Sequence, residues 1–136
     1  MSNADETRIR DMIVRWTRAI ADGDREGILA HHAEDMLMYD FPSTVRGIDG
    51  YSRTWDFFDD SRTGHVTFDP REISVTAADD LAFATCEIHC EGTTAGPLDL
   101  RLTVCLEKRG NEWVVTHEHH SVPTTDDRLI GPDVKT

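Results

Sequence analysis

Residues 110–123 read Gly110-Asn111-Glu112-Trp113-Val114-Val115-Thr116-His117-Glu118-His119-His120-Ser121-Val122-Pro123, a turn and then a strand that changes from apolar to polar partway along. At the two-residue period of a strand, Trp113, Val115, His117, His119 and Ser121 share one face. If Trp113 and Val115 anchor that face in a core, His117 and His119 follow them inward, and the core opens into a pocket carrying titratable groups. The alternative is an exposed strand end whose histidines lie in water.

The turn sets the register. A two-residue Gly110-Asn111 hairpin pairs Arg109 with Glu112 and sets Leu102 opposite His119 and Val104 opposite His117. Leu98, Leu100, Leu102, Val104 and Leu106 then face Trp113, Val115 and the two histidines, which buries the most apolar surface. A three-residue loop would bring Arg101 beside the histidines instead, so Arg101 is a conditional candidate.

Upstream lie further strand-like segments, 65–77, 81–94 and 98–109. They are rich in Val, Thr, Ile and Phe and divided by turn signals at Ala78-Asp79-Asp80 and Gly96-Pro97. The N-terminal half has a different texture. Ile9, Met12, Ile13, Trp16 and Ile20 recur at helical steps, with Ser2 and Asp5 resembling a capping box and Gly23 a stop. Asp24 suits the N-cap of a shorter helix carrying Ile28, Leu29, His31 and His32. Met36 to Phe41 reads as a short strand, and Ile48, Tyr51, Trp55 and Phe58 mark a third helix. Helices first, then strands joined by short turns, indicate an α+β domain with an antiparallel sheet. It spans residues 1–123, followed by a polar tail at 124–136.

With 136 residues the chain suffices for one domain with a real core. Its net charge of −12 disfavours nucleic acid and anionic membrane as partners. No apolar run approaches a bilayer span, and the acidic N-terminus is unlike a signal peptide, so the expected home is the cytoplasm. The cysteines agree with that. Cys86 and Cys90, four apart on one strand, lie roughly 13 Å apart along it, too far for a disulfide. With Cys105 they read as buried free thiols.

In its order of elements, from about Asp5 to Pro123, the chain resembles the nuclear-transport-factor-2-like (NTF2-like) superfamily, with its steroid delta-isomerases and SnoaL-like proteins. The matching stretches are Ala21-Asp22-Gly23-Asp24 with Gly27-Ile28, His32-Ala33-Glu34-Asp35, Tyr39-Asp40-Phe41-Pro42, Arg46-Gly47 and Gly110-Asn111-Glu112-Trp113 leading into His117-Glu118-His119. The resemblance implies a cone-shaped, curved antiparallel sheet wrapped around three N-terminal helices, the cystatin-like α+β barrel. It also implies an apolar pocket and a homodimer formed through the outer sheet face, where His89 and Glu87 are placed by alternation.

Asp40 falls where the steroid isomerases carry their general base. Ketosteroid isomerase pairs that base with an oxyanion hole of a tyrosine and a protonated aspartic acid. Here the tyrosine position falls on Trp16 and the acid position at or near Leu102. Leucine donates no hydrogen bond, although the Trp16 indole N–H can. Losing one such donor costs about 10²–10³ in rate, so steroid isomerisation by that mechanism is not expected.

The resulting candidate is an enzyme using cofactor-free acid–base chemistry on a small apolar carbonyl compound: an isomerase, cyclase or hydratase. Asp40 is its base, and His117 or His119 its acid or oxyanion donor. Trp16, Tyr39, Trp55, Phe58 and Leu102 are its pocket residues. A metal is not expected, because His117 and His119 lie roughly 6–7 Å apart while Glu118 and His120 point to the opposite face. His31 and His32 read as boundary residues of a helix. The alternative function is a non-catalytic ligand-binding or dimeric interaction domain, with Asp40 merely stabilising a turn.

Overall fold

The computed structural model describes residues 3–124; Ser2 and the tail from residue 125 onward lie outside the described residues. Helix α1 (Asn3–Asp22) buries Ile9, Ile13, Trp16 and Ile20, the stripe its spacing predicts. Its end is a left-handed turn at Gly23 (φ 72°), where the Asp24 amide donates back to the Ala19 carbonyl at 2.9 Å. Asp24 then caps α2 (Arg25–Leu29), its side chain accepting from the Gly27 amide. The Asp5 carboxylate accepts from the Trp113 indole at 3.1 Å, tying α1 to the last strand; the capping box expected with Ser2 lies outside the described residues.

Helix α2 stops at Leu29, earlier than the His31-His32 pair suggested. His31 takes a positive φ of 61°, and His32 opens strand β1 (His32–Tyr39). A three-residue strand, β2 (Thr44–Arg46), folds back on β1. The third helix breaks at Trp55 into α3 (Ile48–Thr54) and α4 (Asp56–Asp60). Four long strands follow: β3 (Arg62–Ala77), β4 (Leu81–Thr93), β5 (Leu98–Arg109) and β6 (Glu112–Ser121).

The six strands form one curved, unclosed sheet in the order β2-β1-β6-β5-β4-β3, with β1 and β6 parallel and every other pair antiparallel. Register irregularities bend β3 between Arg62 and Thr67 and again between Arg71 and Ser74. Beside the first, Gly92 of β4 has a φ of 96°, and a Cβ there would stand 2.3 Å from the His65 carbonyl oxygen. Only glycine lets the two strands cross so closely. The helices pack into the concave face over Phe68, Ile88, Leu100, Leu102, Val104 and Trp113.

Strand β6 departs from simple alternation. The two-residue turn pairs Arg109 with Glu112 as expected, but the partners change from Leu106↔Val115 to Cys105↔His117. Thr116 is therefore an extra residue, a β-bulge whose hydroxyl reaches the Cys105 carbonyl at 3.4 Å. Beyond it every side chain changes face. Val104 lies opposite Glu118 and Leu102 opposite His120, so Glu118 and His120 point into the core. His117 and His119 point outward.

Candidate functional site

The inward turn of β6 places a glutamate where one is rarely found. Glu118 is 1% exposed, and its carboxylate is the hub of a hydrogen-bond network drawn from four elements. Oε2 accepts from His32 Nε2 at 2.6 Å and from the Tyr51 hydroxyl at 2.8 Å, and Oε1 accepts from His120 Nε2 at 2.8 Å. Tyr51 in turn accepts from the Trp16 indole at 2.8 Å. Its hydroxyl hydrogen is therefore committed to Glu118.

Protonation states follow from the donor and acceptor inventory. His32 faces acceptors at both nitrogens, the Ala30 carbonyl at Nδ1 (2.8 Å) and the carboxylate at Nε2, so the ring donates twice and is an imidazolium. His120 donates from Nε2, which in its neutral form leaves Nδ1 with a lone pair. Burial alone would push the Glu118 carboxyl up, but the hydrogen bonds from His120 and His32 and the charge of His32 outweigh it and bring the carboxyl down to about 2. Burial pushes His32 down, and its bond and attraction to Glu118 prevail and raise it. The Tyr51 phenol is driven well up by burial and by the Glu118 charge, so it remains a hydroxyl.

Aromatic rings enclose the network. His32 stacks on Tyr51 with centroids 4.7 Å apart, and His120 lies 6.1 Å from Trp16 and 5.9 Å from Trp55. The buried Trp55 N–H has no hydrogen-bond partner. It lies near enough to Tyr51 for its dipole to oppose the rise of the phenol, but outside hydrogen-bond geometry.

Two cavities meet this network from different sides. The larger, about 460 Å³, is lined mainly by apolar groups including Met38, Trp55, Phe58, Phe68 and Leu100, with Asp40 and His120 on its wall. Asp40 is half-buried and its carboxylate has no partner among the described residues. The smaller, about 380 Å³, lies between α1, α2 and the sheet and reaches His32 and Glu118.

Most pocket residues expected from the sequence are near this centre, and some are not. Asp40, Trp55 and Phe58 line the larger cavity, Trp16 lines the smaller, and Leu102 is buried in the core between strands. His117 and His119 lie on the outer face against the exposed Tyr39, at 5.0 and 5.4 Å. Arg101 is exposed and pairs with Ser121. The bulge is the physical reason: one extra residue at Thr116 exchanges the faces of all that follow. No hydrogen bond joins Asp40 to an imidazole. Glu118, His120, His32 and Tyr51 are the groups sequence reasoning missed. A bulge leaves no periodic signature, so the one available signal for Glu118 and His120 was the density of titratable residues in 117–120. Among the described residues no group of three is disposed to hold a metal ion. His32 and His120 are each bound to the Glu118 carboxylate.

The sequence profile of the SnoaL-like domain matches residues 9–125. The chain belongs to the SnoaL-like family. An NTF2-like protein of unknown function from Pseudomonas putida KT2440 is 32% identical, with 100% of this chain and 99% of that one covered at a TM-score of 0.86. A proposed ketosteroid isomerase from Shewanella frigidimarina NCIMB 400 is 21% identical, covering 82% and 92% of the two chains at 0.71. A proposed dehydratase of the NTF2-like family from Streptomyces avermitilis is 14% identical, covering 91% and 100% at 0.78. These two share the fold with this SnoaL-like chain. No curated protein sequence matches it.

Proposed function

We propose that the protein is a small-molecule enzyme that moves protons in the larger cavity, on an apolar carbonyl-bearing substrate, in isomerase, cyclase or hydratase chemistry through an enol. The observation that carries this reading is the Glu118–His120 pair. A buried carboxylate grips the imidazole at Nε2, leaving Nδ1 as its uncommitted nitrogen beside a cavity that also holds the unpartnered Asp40. Asp40 takes the proton from carbon. His120, once protonated at Nδ1 from cavity water, gives that proton to the carbonyl oxygen as the enol forms, the part the sequence offered to His117 or His119. It recovers the proton as the enol collapses and Asp40 returns its own proton to carbon. Trp55, Phe58 and Phe68 keep water from the reacting carbons. All the acid–base groups come from the chain, so the reading calls for no cofactor.

The test follows deuterium from D₂O into the α-carbon of a panel of cyclic ketones by NMR. Acceleration by the native protein is expected, with Asp40→Asn and His120→Gln each slowing it about 10²-fold or more, the range of positioned acid–base catalysis. Undiminished exchange in both variants would sink the mechanism. A second reading, a binding domain without turnover, is favoured by the saturation of Glu118, whose bonds also suit a purely structural role. Under it the ketones bind and shift the resonances of the cavity but gain no deuterium.

We also propose that two copies associate through the outer sheet face, where Leu81 and Phe83 are 59% and 49% exposed. Cys86, Cys90 and Cys105 are free, which fits a reducing, cytoplasmic setting. Among the described residues no helix is long and apolar enough to cross a membrane.

A further inference from the structure

The two cavities end on opposite ends of one hydrogen-bonded chain: His120 at the larger, His32 at the smaller, and the Glu118 carboxylate between them. A ligand filling the larger cavity covers His120 and closes that route to water. The smaller cavity stays open. Ala30, His32 and Glu118 are among its lining residues, and the second lone pair of the Ala30 carbonyl can hold a water beside the His32 ring. Its charged lining is balanced, with Arg15 and Arg18 against Asp22 and Asp24, and His31 beside His32 at the bend into the sheet. Such a wall neither traps an anion nor repels a proton.

We propose that the smaller cavity is the proton port of the site, through which His32 exchanges protons with solvent in response to the state of His120. Charge decides the coupling. The buried cluster holds one carboxylate and one imidazolium, and a second imidazolium at His120 would leave it with a net positive charge out of water. A proton gained at His120 Nδ1 is balanced by one lost from His32 Nδ1 to water beside Ala30. Both Nε2–H bonds to Glu118 remain, and Glu118 stays ionised throughout. His32 acts as a positioning residue: it touches no substrate and sets the charge His120 can carry.

This inference rests on His120 as a proton carrier, but its test needs no substrate. In protein labelled with ¹⁵N-histidine, NMR measures how fast the His32 Nδ1 proton exchanges with water. Ala30 is exposed at the cavity mouth, so Ala30→Trp fills the cavity without entering the core. It should slow that exchange at least tenfold. Ala95→Trp, on the wall of the larger cavity, should leave it unchanged. Arg18→Trp closes the smaller cavity from α1 and guards against a disturbed α2, while the outward-facing His119 resonance reports a retained fold. An unaltered rate in both filled variants, or slowing by Ala95→Trp, overturns the port. Undiminished ketone exchange in Asp40→Asn and His120→Gln would sink the catalytic reading without altering the His32 exchange rate, so the two failures are distinguishable.

Discussion

Glu118 concentrates the energetics of the site in one side chain. Taking a carboxylate out of water costs several kcal/mol, offset here by three hydrogen bonds, one of them from a cation. Removing it strands the His32 imidazolium, so Glu118→Ala should cost about 3–5 kcal/mol by urea denaturation. Acidity tests the same contacts. Because the folded Glu118 carboxyl is depressed to about 2, its contribution is whole above the unfolded value of 4.5 and fades as pH falls below it. His32 is raised above 6.5, so its contribution is whole below 6.5 and is lost as pH rises through its folded value. Stability measured against pH should therefore be greatest between about 4.5 and 6.5. In Glu118→Gln both slopes should flatten, and slopes equal to those of the native protein would refute this account. The sequence pointed to Asp40 through its family position, and the structure sets it on the wall of the larger cavity. His32 was hidden, because a helix ending after Leu29 and a positive φ at His31 leave no mark in hydrophobic periodicity.

At the scale of the element, β6 shows how far a strand can be read from its pattern. Trp113 and Val115 face the core as their spacing demands, and the turn pairs Arg109 with Glu112 as its chemistry demands. Period two then fails at Thr116, since an unpaired residue costs the sheet little and reverses all later side chains. The consequence separates neighbouring histidines. His119→Ala, on the outer face, should change stability by no more than about 0.5 kcal/mol. His120→Ala leaves a void among Trp16 and Trp55 and deprives Glu118 Oε1 of its donor, which should cost about 2–4 kcal/mol. Chemical denaturation of the two variants decides between the bulged register and a regular one, which would reverse the ranking. Short elements evade the sequence for a related reason. The three residues of β2 are too few to establish a period, and Trp55 fits the helical stripe that the chain nonetheless breaks.

For the whole molecule, the succession of helices and then strands sufficed to give the fold class, because an antiparallel sheet needs a covering layer on one face and the helices supply it. The other face is left to solvent, and its composition raises the question of assembly. Leu81 and Phe83 stand out from β4, with Thr76, Ala78 and Cys105 around them. Burying such side chains between two copies gains about 25 cal/mol for each Å² removed from water. Against this stands the charge of −12 that each copy carries, which repels its partner at long range. Salt screens that repulsion over about 10 Å at 0.1 M while leaving apolar burial intact. Association should accordingly tighten as salt rises, the reverse of an interface held by ion pairs. Sedimentation at rising salt should show a growing dimer fraction. The double variant Leu81→Arg/Phe83→Arg should sediment as a monomer at every salt concentration, with its cavity and thermal unfolding unchanged. A native chain that remains monomeric at high salt, or a double variant that still pairs, would assign the apolar outer face no part in assembly.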